Sequence, residues 1–415
     1  MIMAKIIPPD YGIYLGQYEW TAGDISTFES AYGKSVSHFS SSRGHWGLEY
    51  VSGHPHLALS TAKTAWDTGK GLLVQCYNTY AGTNDEHPSG YTNDLLLAGT
   101  YDANLAILAA DLRAFNNPVW FQCGREPNGV GQDYIGGFGT DGTQSLATAI
   151  TNNTAYNQFT PPSPPAGAPS NLYSGCSGSS IPDGVGRVKA AQRYLYDFFV
   201  RRQGCTNLTF DSQGWNVRYY KDSVDNQDKY DSNDYVGNEA YALQVLQDCN
   251  FANFYPGDDY CDWPSLTFYT LDYYDANWTW LSGSDILYPT SDWINSLSVT
   301  YNQIQSVTNK PILLTECGFP DGMNSNTTRG ANRVTDALGA ILYQFPQIRA
   351  INMWADHTSW FQNDIFPYNC LIASGTTQAT ALQALVTADP KMFNTKLKYS
   401  YPRKVAFASV NWSPK

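Results

Sequence analysis

The sequence predicts an α/β chain in which eight strand–helix pairs close a (β/α)8 barrel, the TIM-barrel architecture, with long loop insertions. Three observations lead there. Short apolar runs alternate with longer amphipathic stretches from Gly12 to Thr387. No Gly-rich phosphate loop follows the first run, which argues against a doubly wound sheet. Hydrophobic residues make up 42% of the 415-residue chain, enough for a large core and too many for a disordered one.

The elements follow in order. Gly12–Gly16 reads as the first strand, and the helix from Asp24 to Tyr32 is stopped by Gly33. Val36–Ser40 is the second strand and Leu57–Thr68 the second helix, ended by Gly69. Leu72–Tyr77 is the third strand, followed by a helix over Asp102–Phe115 with Leu105, Leu108, Ala109 and Leu112 on one face. Pro118–Cys123 is the fourth, with a helix that Asp183 caps and that runs to Arg202. Leu208–Phe210 is a short fifth strand, with Glu239–Gln247 as its helix. Trp263–Tyr269 and Asp292–Val307 make the sixth pair, Ile312–Thr315 and Asn332–Phe345 the seventh, Ile348–Trp354 and Thr377–Thr387 the eighth. The barrel is expected over residues 1–390, with 391–415 as a C-terminal appendage packed on it. An insertion at about 129–182, rich in Gly, Pro, Ser and Thr, follows a strand C-terminus and is expected to roof that face.

Charge excludes some partners. The chain has 25 Lys+Arg against 37 Asp+Glu, a formal charge of −12, which repels phosphate; nucleic acid and anionic membrane surfaces are not expected partners. No stretch of about 18 apolar residues is present to span a bilayer. The 30 Tyr and 12 Trp supply flat faces on which sugar rings can lie, as well as core filler. The eight Cys include no CxxC, so a zinc or thioredoxin-like site is not read from them. Cys176, Cys205, Cys249, Cys261 and Cys370 lie in or beside loops, which fits an oxidising compartment, with Cys249–Cys261 and Cys176–Cys205 as the expected bridges. His45, His54 and His56, and the acids Asp258, Asp259 and Asp262, read as loop and turn residues, so no metal or cofactor is expected.

In an α/β barrel, acids just past strand C-termini are the first candidates for chemistry. Glu126 follows the fourth strand in Trp120-Phe121-Gln122-Cys123-Gly124-Arg125-Glu126-Pro127-Asn128, and Glu316 ends the seventh in Ile312-Leu313-Leu314-Thr315-Glu316-Cys317-Gly318. Either alone reads as a buried ion-pair partner. Strands four and seven lie nearly across a barrel, however, so two carboxyls there can flank one glycosidic bond, one protonating the leaving oxygen while the other attacks or activates water.

Further segments carry a resemblance. They are Leu97-Ala98-Gly99-Thr100-Tyr101-Asp102, Gly204-Cys205-Thr206-Asn207-Leu208-Thr209, Phe254-Tyr255-Pro256-Gly257-Asp258-Asp259-Tyr260-Cys261-Asp262-Trp263, Lys310 to Gly318, and Phe345-Pro346-Gln347-Ile348-Arg349-Ala350. With the Glu126 strand, in this order, the chain resembles glycoside hydrolase family 26, the β-mannanase family, from Tyr11 to about Tyr368. The resemblance implies a retaining endo-β-1,4-mannanase, with β-1,3-xylan or mixed-linkage β-glucan as alternative substrates. A non-catalytic glycan-binding barrel is the reading from another class. It also implies Glu126 as acid/base, Glu316 as nucleophile, Tyr269 as the tyrosine that hydrogen-bonds the nucleophile, and Trp354 as the aromatic floor beneath the sugar. Arg125 and Gln122 stand where the family has His and Arg, and Val130-Gly131-Gln132 where a Trp follows. Those positions shape the subsites beside the scissile bond. Asn128, Trp20, His38 and Trp360, near presumed strand ends, complete the expected cleft, although each also reads as packing under a loop. The enzyme is expected to be secreted, since polymeric glycans do not enter cells, and to act as a monomer on polysaccharide without a cofactor.

Overall fold

The computed structural model describes residues 5–19, 22–41, 63, 66–76, 92–124, 138, 142, 144–212, 214–217, 235–269, 290–319, 327–354 and 375–400. Its strands are β1 (Lys5–Ile7), β2 (Ile13–Glu19), β3 (His38–Ser41), β4 (Gly71–Cys76), β5 (Val119–Cys123), β6 (Leu208–Phe210), β7 (Trp215–Val217), β8 (Ser265–Tyr269), β9 (Ile312–Gly318), β10 (Ile348–Trp354), β11 (Phe393–Asn394) and β12 (Lys398–Ser400). From β2 to β5 each strand pairs in parallel with the next, β6 follows β5, and β10 returns to β2. On the other side β10 pairs β9, β9 pairs β8 and β8 pairs β7. β6 and β7 are two halves of the fifth barrel strand, separated by residues 211–214. The break is bridged: Phe210 O accepts from Asp262 N and Trp263 N at 2.8 and 3.0 Å, and Asp211 N donates to Phe121 O at 3.1 Å. The sheet therefore closes on itself as a (β/α)8 barrel.

Side chains replace the missing ladder at that break. Ser265 Oγ accepts from Ser212 N and Gly214 N and donates to Asp211 Oδ1, and Ser265 N donates to Ser212 Oγ at 2.7 Å. An apolar residue at 265 would leave these buried amides without acceptors.

Strand alternation sorts the core into layers. In β5, Val119 and Phe121 meet Leu105, Leu108 and Leu112 of the helix Asp102–Phe115 and Phe199 of the next helix. Trp120 between them points inward, where it packs with Tyr14, Leu73, Trp263, Leu313 and Ala350. Ile6 and Leu397 complete this inner cluster from a ribbon, β1 paired antiparallel with β12, that closes the N-terminal end of the barrel. Ile6 N donates to Thr209 Oγ1 at 2.9 Å, and Trp263 Nε1 donates to Ile6 O at 3.1 Å. Residues 398–400 of the expected appendage thus form part of the barrel floor.

The helices Asp102–Phe115, Glu239–Asp248, Thr290–Val307 and Thr377–Ala388 match their expected spans to within two residues. Gly33 and Gly69 end their segments at φ of +80° and +82°, a region that favours glycine. The helix from Asp183 is α only to Tyr196 and π from Asp197 to Arg202, and Asp183 does not cap it. Its carboxylate instead accepts from Gln158 N, which ties down the insertion. The helix Leu57–Thr68 lies mostly outside the described residues.

Residues 144–182 of the insertion pack on the outer helices, and 129–137, 139–141 and 143 lie outside the described residues. Ala155 N donates to Tyr241 Oη at 2.8 Å, Asn238 Nδ2 to Ile150 O at 2.7 Å, and Arg193 to the carbonyls of Leu172 and Ser174 at 3.0 and 2.6 Å. Backbone groups of this Gly/Pro/Ser-rich segment bond partly within its own turns and partly to side chains of the barrel's helix layer. One expectation needs correction: Cys176, Cys205, Cys249 and Cys261, expected to form two bridges, are free, buried thiols. They behave as small hydrophobes in the two outer clusters, and burial pushes the Cys205 thiol up to about 11.

Gly214 has φ +64°, and a Cβ there would lie 2.6 Å from Gln122 Nε2 and 2.7 Å from Thr315 Oγ1. Gly339 is helical at φ −58°, and a Cβ there would meet nothing within 4 Å. Gly214→Ala should therefore lower unfolding free energy by about 1–3 kcal/mol, and Gly339→Ala should raise it by about 0.4–1 kcal/mol. Urea midpoints at constant m-value check both; equal effects would contradict the packing at the break.

Candidate active site

Glu316 lies near the C-terminal end of β9, 1% exposed. Simple alternation would turn it the wrong way, because Ile312 and Leu314 face the helices and Leu313 faces the barrel interior. The register shows what intervenes. Leu266 and Thr267, consecutive in β8, pair with Leu314 and Glu316; Ile351 and Met353, two apart in β10, pair with Leu314 and Cys317, three apart. β9 thus carries one extra residue against both neighbours at the same place, a bulge at Thr315–Glu316. Cys317 returns to the outer cluster, so Thr315 and Glu316 both lie on the inner side.

Tyr269 ends β8 on the inner face, two residues beyond Thr267, and its hydroxyl donates to Glu316 Oε2 at 3.1 Å. This hydroxyl, a neutral donor, fixes the direction of the carboxylate oxygen it bonds. Around it the inner face is polar and close-packed. Thr315 Oγ1 donates to Leu266 O at 3.2 Å, Thr267 Oγ1 to Gly214 O at 3.3 Å, and Asn352 Nδ2 to Thr315 O at 3.0 Å. Gln122, on the inner face of β5, is buried in this layer, its amide close to Gly214.

His38, expected to line the cleft, sits lower. It is fully buried on β3, its ring 4.7 Å from that of Trp120 and its Nδ1 2.9 Å from Ser37 Oγ. Gly16 opposite makes room, since a Cβ there would lie 2.4 Å from His38 Nε2. The structure makes His38 part of the packing beneath the site rather than a residue on its open face, because the aromatic floor and the bare Gly16 backbone enclose the ring. Trp354 closes β10, in register with Tyr18. Glu126, Arg125, Asn128, Trp20 and Trp360 lie outside the described residues; β5 leads toward Glu126 through Gly124, at φ +89°.

The sequence reading missed Thr315, Asn352, Thr267 and Gly214. A signal was there for one of them: Asn352 is a polar residue inside the apolar run Ile348–Trp354, at the same parity as Ala350. The Tyr-Pro-Gly-Asp-Asp-Tyr run and Asp262 after it, by contrast, make structural bonds away from Glu316. Asp262 pairs with Lys5 at 2.6 Å and accepts from Phe210 N, while Asp258 accepts from Tyr255 and Thr308. Among the described residues no group of three His, Cys, Asp or Glu is placed to hold a metal ion, and no helix is long and apolar enough to cross a membrane.

The fold and this arrangement define a (β/α)8 barrel with a buried carboxylate at the seventh strand end. Solved structures share the fold. GH26C of a Muricauda species aligns at a TM-score of 0.54 and 11% identity, covering 92% of this chain and 87% of that one. A modular endo-β-1,4-mannanase of glycoside hydrolase family 26 from Cellulomonas fimi aligns at 0.53 and 14% identity, over 96% and 75%. The catalytic domain of a Bacillus sp. family 26 endo-β-1,4-mannanase aligns at 0.51 and 14%, over 92% and 87%. At these identities the likeness is one of fold. No sequence-family model matches the chain, and neither does any curated protein.

Burial lowers the His38 pKa to about 3, so the ring is neutral in the folded protein at ordinary pH. The unfolded chain takes up this proton near pH 6.5, so stability present above that pH is lost as pH falls toward 3. His38→Gln should flatten this stretch by up to one proton, about 1.4 kcal/mol per pH unit. Denaturant titrations from pH 7 to 4 measure it; an unchanged slope would contradict a neutral buried ring.

Proposed function

We propose that the chain is a retaining glycoside hydrolase that cleaves β-linked polysaccharide, with β-1,4-mannan as the first candidate substrate. The observation that carries this reading is the Glu316 carboxylate, turned inward by a bulge at the seventh strand end and held by the Tyr269 hydroxyl. In the reaction Glu316 attacks the anomeric carbon while Glu126, protonated, gives its proton to the departing oxygen. The glycosyl-enzyme ester forms as the glycosidic bond breaks. Glu126, now ionised, takes a proton from water, and the resulting hydroxide displaces Glu316 and restores both carboxyls. Retention requires the two about 5–5.5 Å apart.

Mannan is supported by the motif resemblance and by the endo-β-1,4-mannanase activity of the Cellulomonas fimi and Bacillus proteins that share the fold. Arg125 and Gln122 at the flanking subsites keep β-1,3-xylan and mixed-linkage β-glucan as alternatives. Trp354 is the proposed aromatic floor beneath the sugar, and Asn128, Trp20 and Trp360 the proposed cleft walls. The protein is proposed to act outside the cell, where such polymers are, as a monomer without a cofactor. That proposal stands on the substrate's size alone, because the cysteines expected to form bridges are free.

Reducing-sugar release from mannan, β-1,3-xylan and mixed-linkage glucan, between pH 4 and 8, tests the reading. Release that Glu316→Ala abolishes is expected. Glu126→Ala should keep cleavage of an activated aryl glycoside, whose leaving group departs unprotonated, and azide should accelerate it. Binding to these glycans without release at any pH would mark the chain as a non-catalytic barrel.

A further inference from the structure

The bulge that turns Glu316 inward leaves β9 out of step with both neighbours, so something must hold it in one geometry. Extra residues at a bulge fall outside regular ladder pairing, and their backbone groups need other partners. Thr315 is that residue, and it is anchored from both sides. Its hydroxyl reaches across to β8 and donates to Leu266 O at 3.2 Å. From β10 the Asn352 side chain donates to the Thr315 carbonyl at 3.0 Å. Asn352 and Thr315 are both completely buried, so water does not compete for either bond. Asn352 lies between Ile351 and Met353, which pack outward, and pairs with Gly16 on the far side. A fully buried inward amide is costly unless its hydrogen bonds are used.

We propose that Asn352 is a positioning residue: its amide clamps the Thr315 carbonyl and so fixes the bulge that aims the Glu316 carboxylate. The proposal rests on the reading of Glu316 as the nucleophile. Asn352 acts through the backbone of the preceding residue and does not touch substrate. An amide is suited to this because the acceptor is a carbonyl; a carboxylate in its place would oppose two acceptors and set a second negative charge near Glu316. Thr315 adds the complementary bond to β8, so the peptide before the nucleophile is fixed between two strands.

The test compares the full chain with Asn352→Ala and the isosteric Asn352→Asp, each first checked for folding by near-UV circular dichroism. A shift of about 1 Å in a reacting group costs on the order of 10²-fold in rate. Asn352→Ala should therefore lower kcat by about that factor with KM within about threefold. Asn352→Asp should donate only while protonated, so its activity should fall on the alkaline side at lower pH than in the parent, giving a narrowed pH profile. Hydrogen exchange gives a readout independent of activity: amides of 315–317 should exchange at least about tenfold faster in Asn352→Ala, with Leu313 and Leu314 unchanged. An active parent whose Asn352→Ala variant keeps kcat within twofold, or whose Asn352→Asp variant keeps the parental pH profile, overturns the clamp. A parent with no turnover on any glycan overturns the nucleophile reading instead. In that case unchanged exchange at 315–317 overturns the clamp too, and faster exchange upholds it as a device of the bulge.

Discussion

A β-strand sends successive side chains to opposite faces, and the candidate site depends on breaking that rule once. Leu313 plugs the barrel floor and Leu314 packs under the helices, so a regular β9 would put Glu316 among the helices and Cys317 in the barrel. One inserted residue at Thr315 reverses this. The same shift appears against β8 and β10, which shows that the bulge belongs to β9 and is not a slip of one neighbour. A carboxylate under the helices would be an uncompensated charge in an apolar layer. On the inner side it meets the Tyr269 hydroxyl.

The barrel's inside is divided by height. Near the strand N-termini Tyr14, Leu73, Trp120, Trp263 and Leu313 fill it, closed by Ile6 and Leu397 of the ribbon. Above them Gln122, Thr267, Thr315 and Asn352 form a polar, close-packed layer in which hydroxyl and amide groups bond to strand carbonyls. The break in the fifth strand belongs to this layer, since Gly214 makes room for Gln122 and Thr315. A rigid apolar base under a hydrogen-bonded support holds a reacting group more closely than a loop would.

Much of the fold was legible because its signals are local. The stripe Leu105, Leu108, Ala109, Leu112 and the stops at Gly33 and Gly69 each depend on a few adjacent residues. What escaped depends on partners far away in the chain. The pairing of Lys5–Ile7 with Lys398–Ser400 joins the two ends of the sequence, and neither segment is apolar enough to announce a strand. The bulge leaves no mark in Leu-Leu-Thr-Glu-Cys-Gly, since a one-residue shift is defined only against neighbouring strands. The cysteines misled for a related reason: being near loops says little about burial, and all four lie in apolar clusters. Glu316 itself was readable, an acid at the end of an apolar run, but its direction was not.

The central claim is that Glu316 forms a bond to the sugar during turnover. It is tested most directly by incubating the protein with 2-deoxy-2-fluoro glycosyl fluorides of the manno, gluco and xylo series, which form the ester readily and release it slowly. The adduct is then mapped by peptide mass spectrometry. The account predicts one adduct per chain, on Glu316. An adduct on another carboxylate, or an active protein that forms none with any of the three, would contradict it.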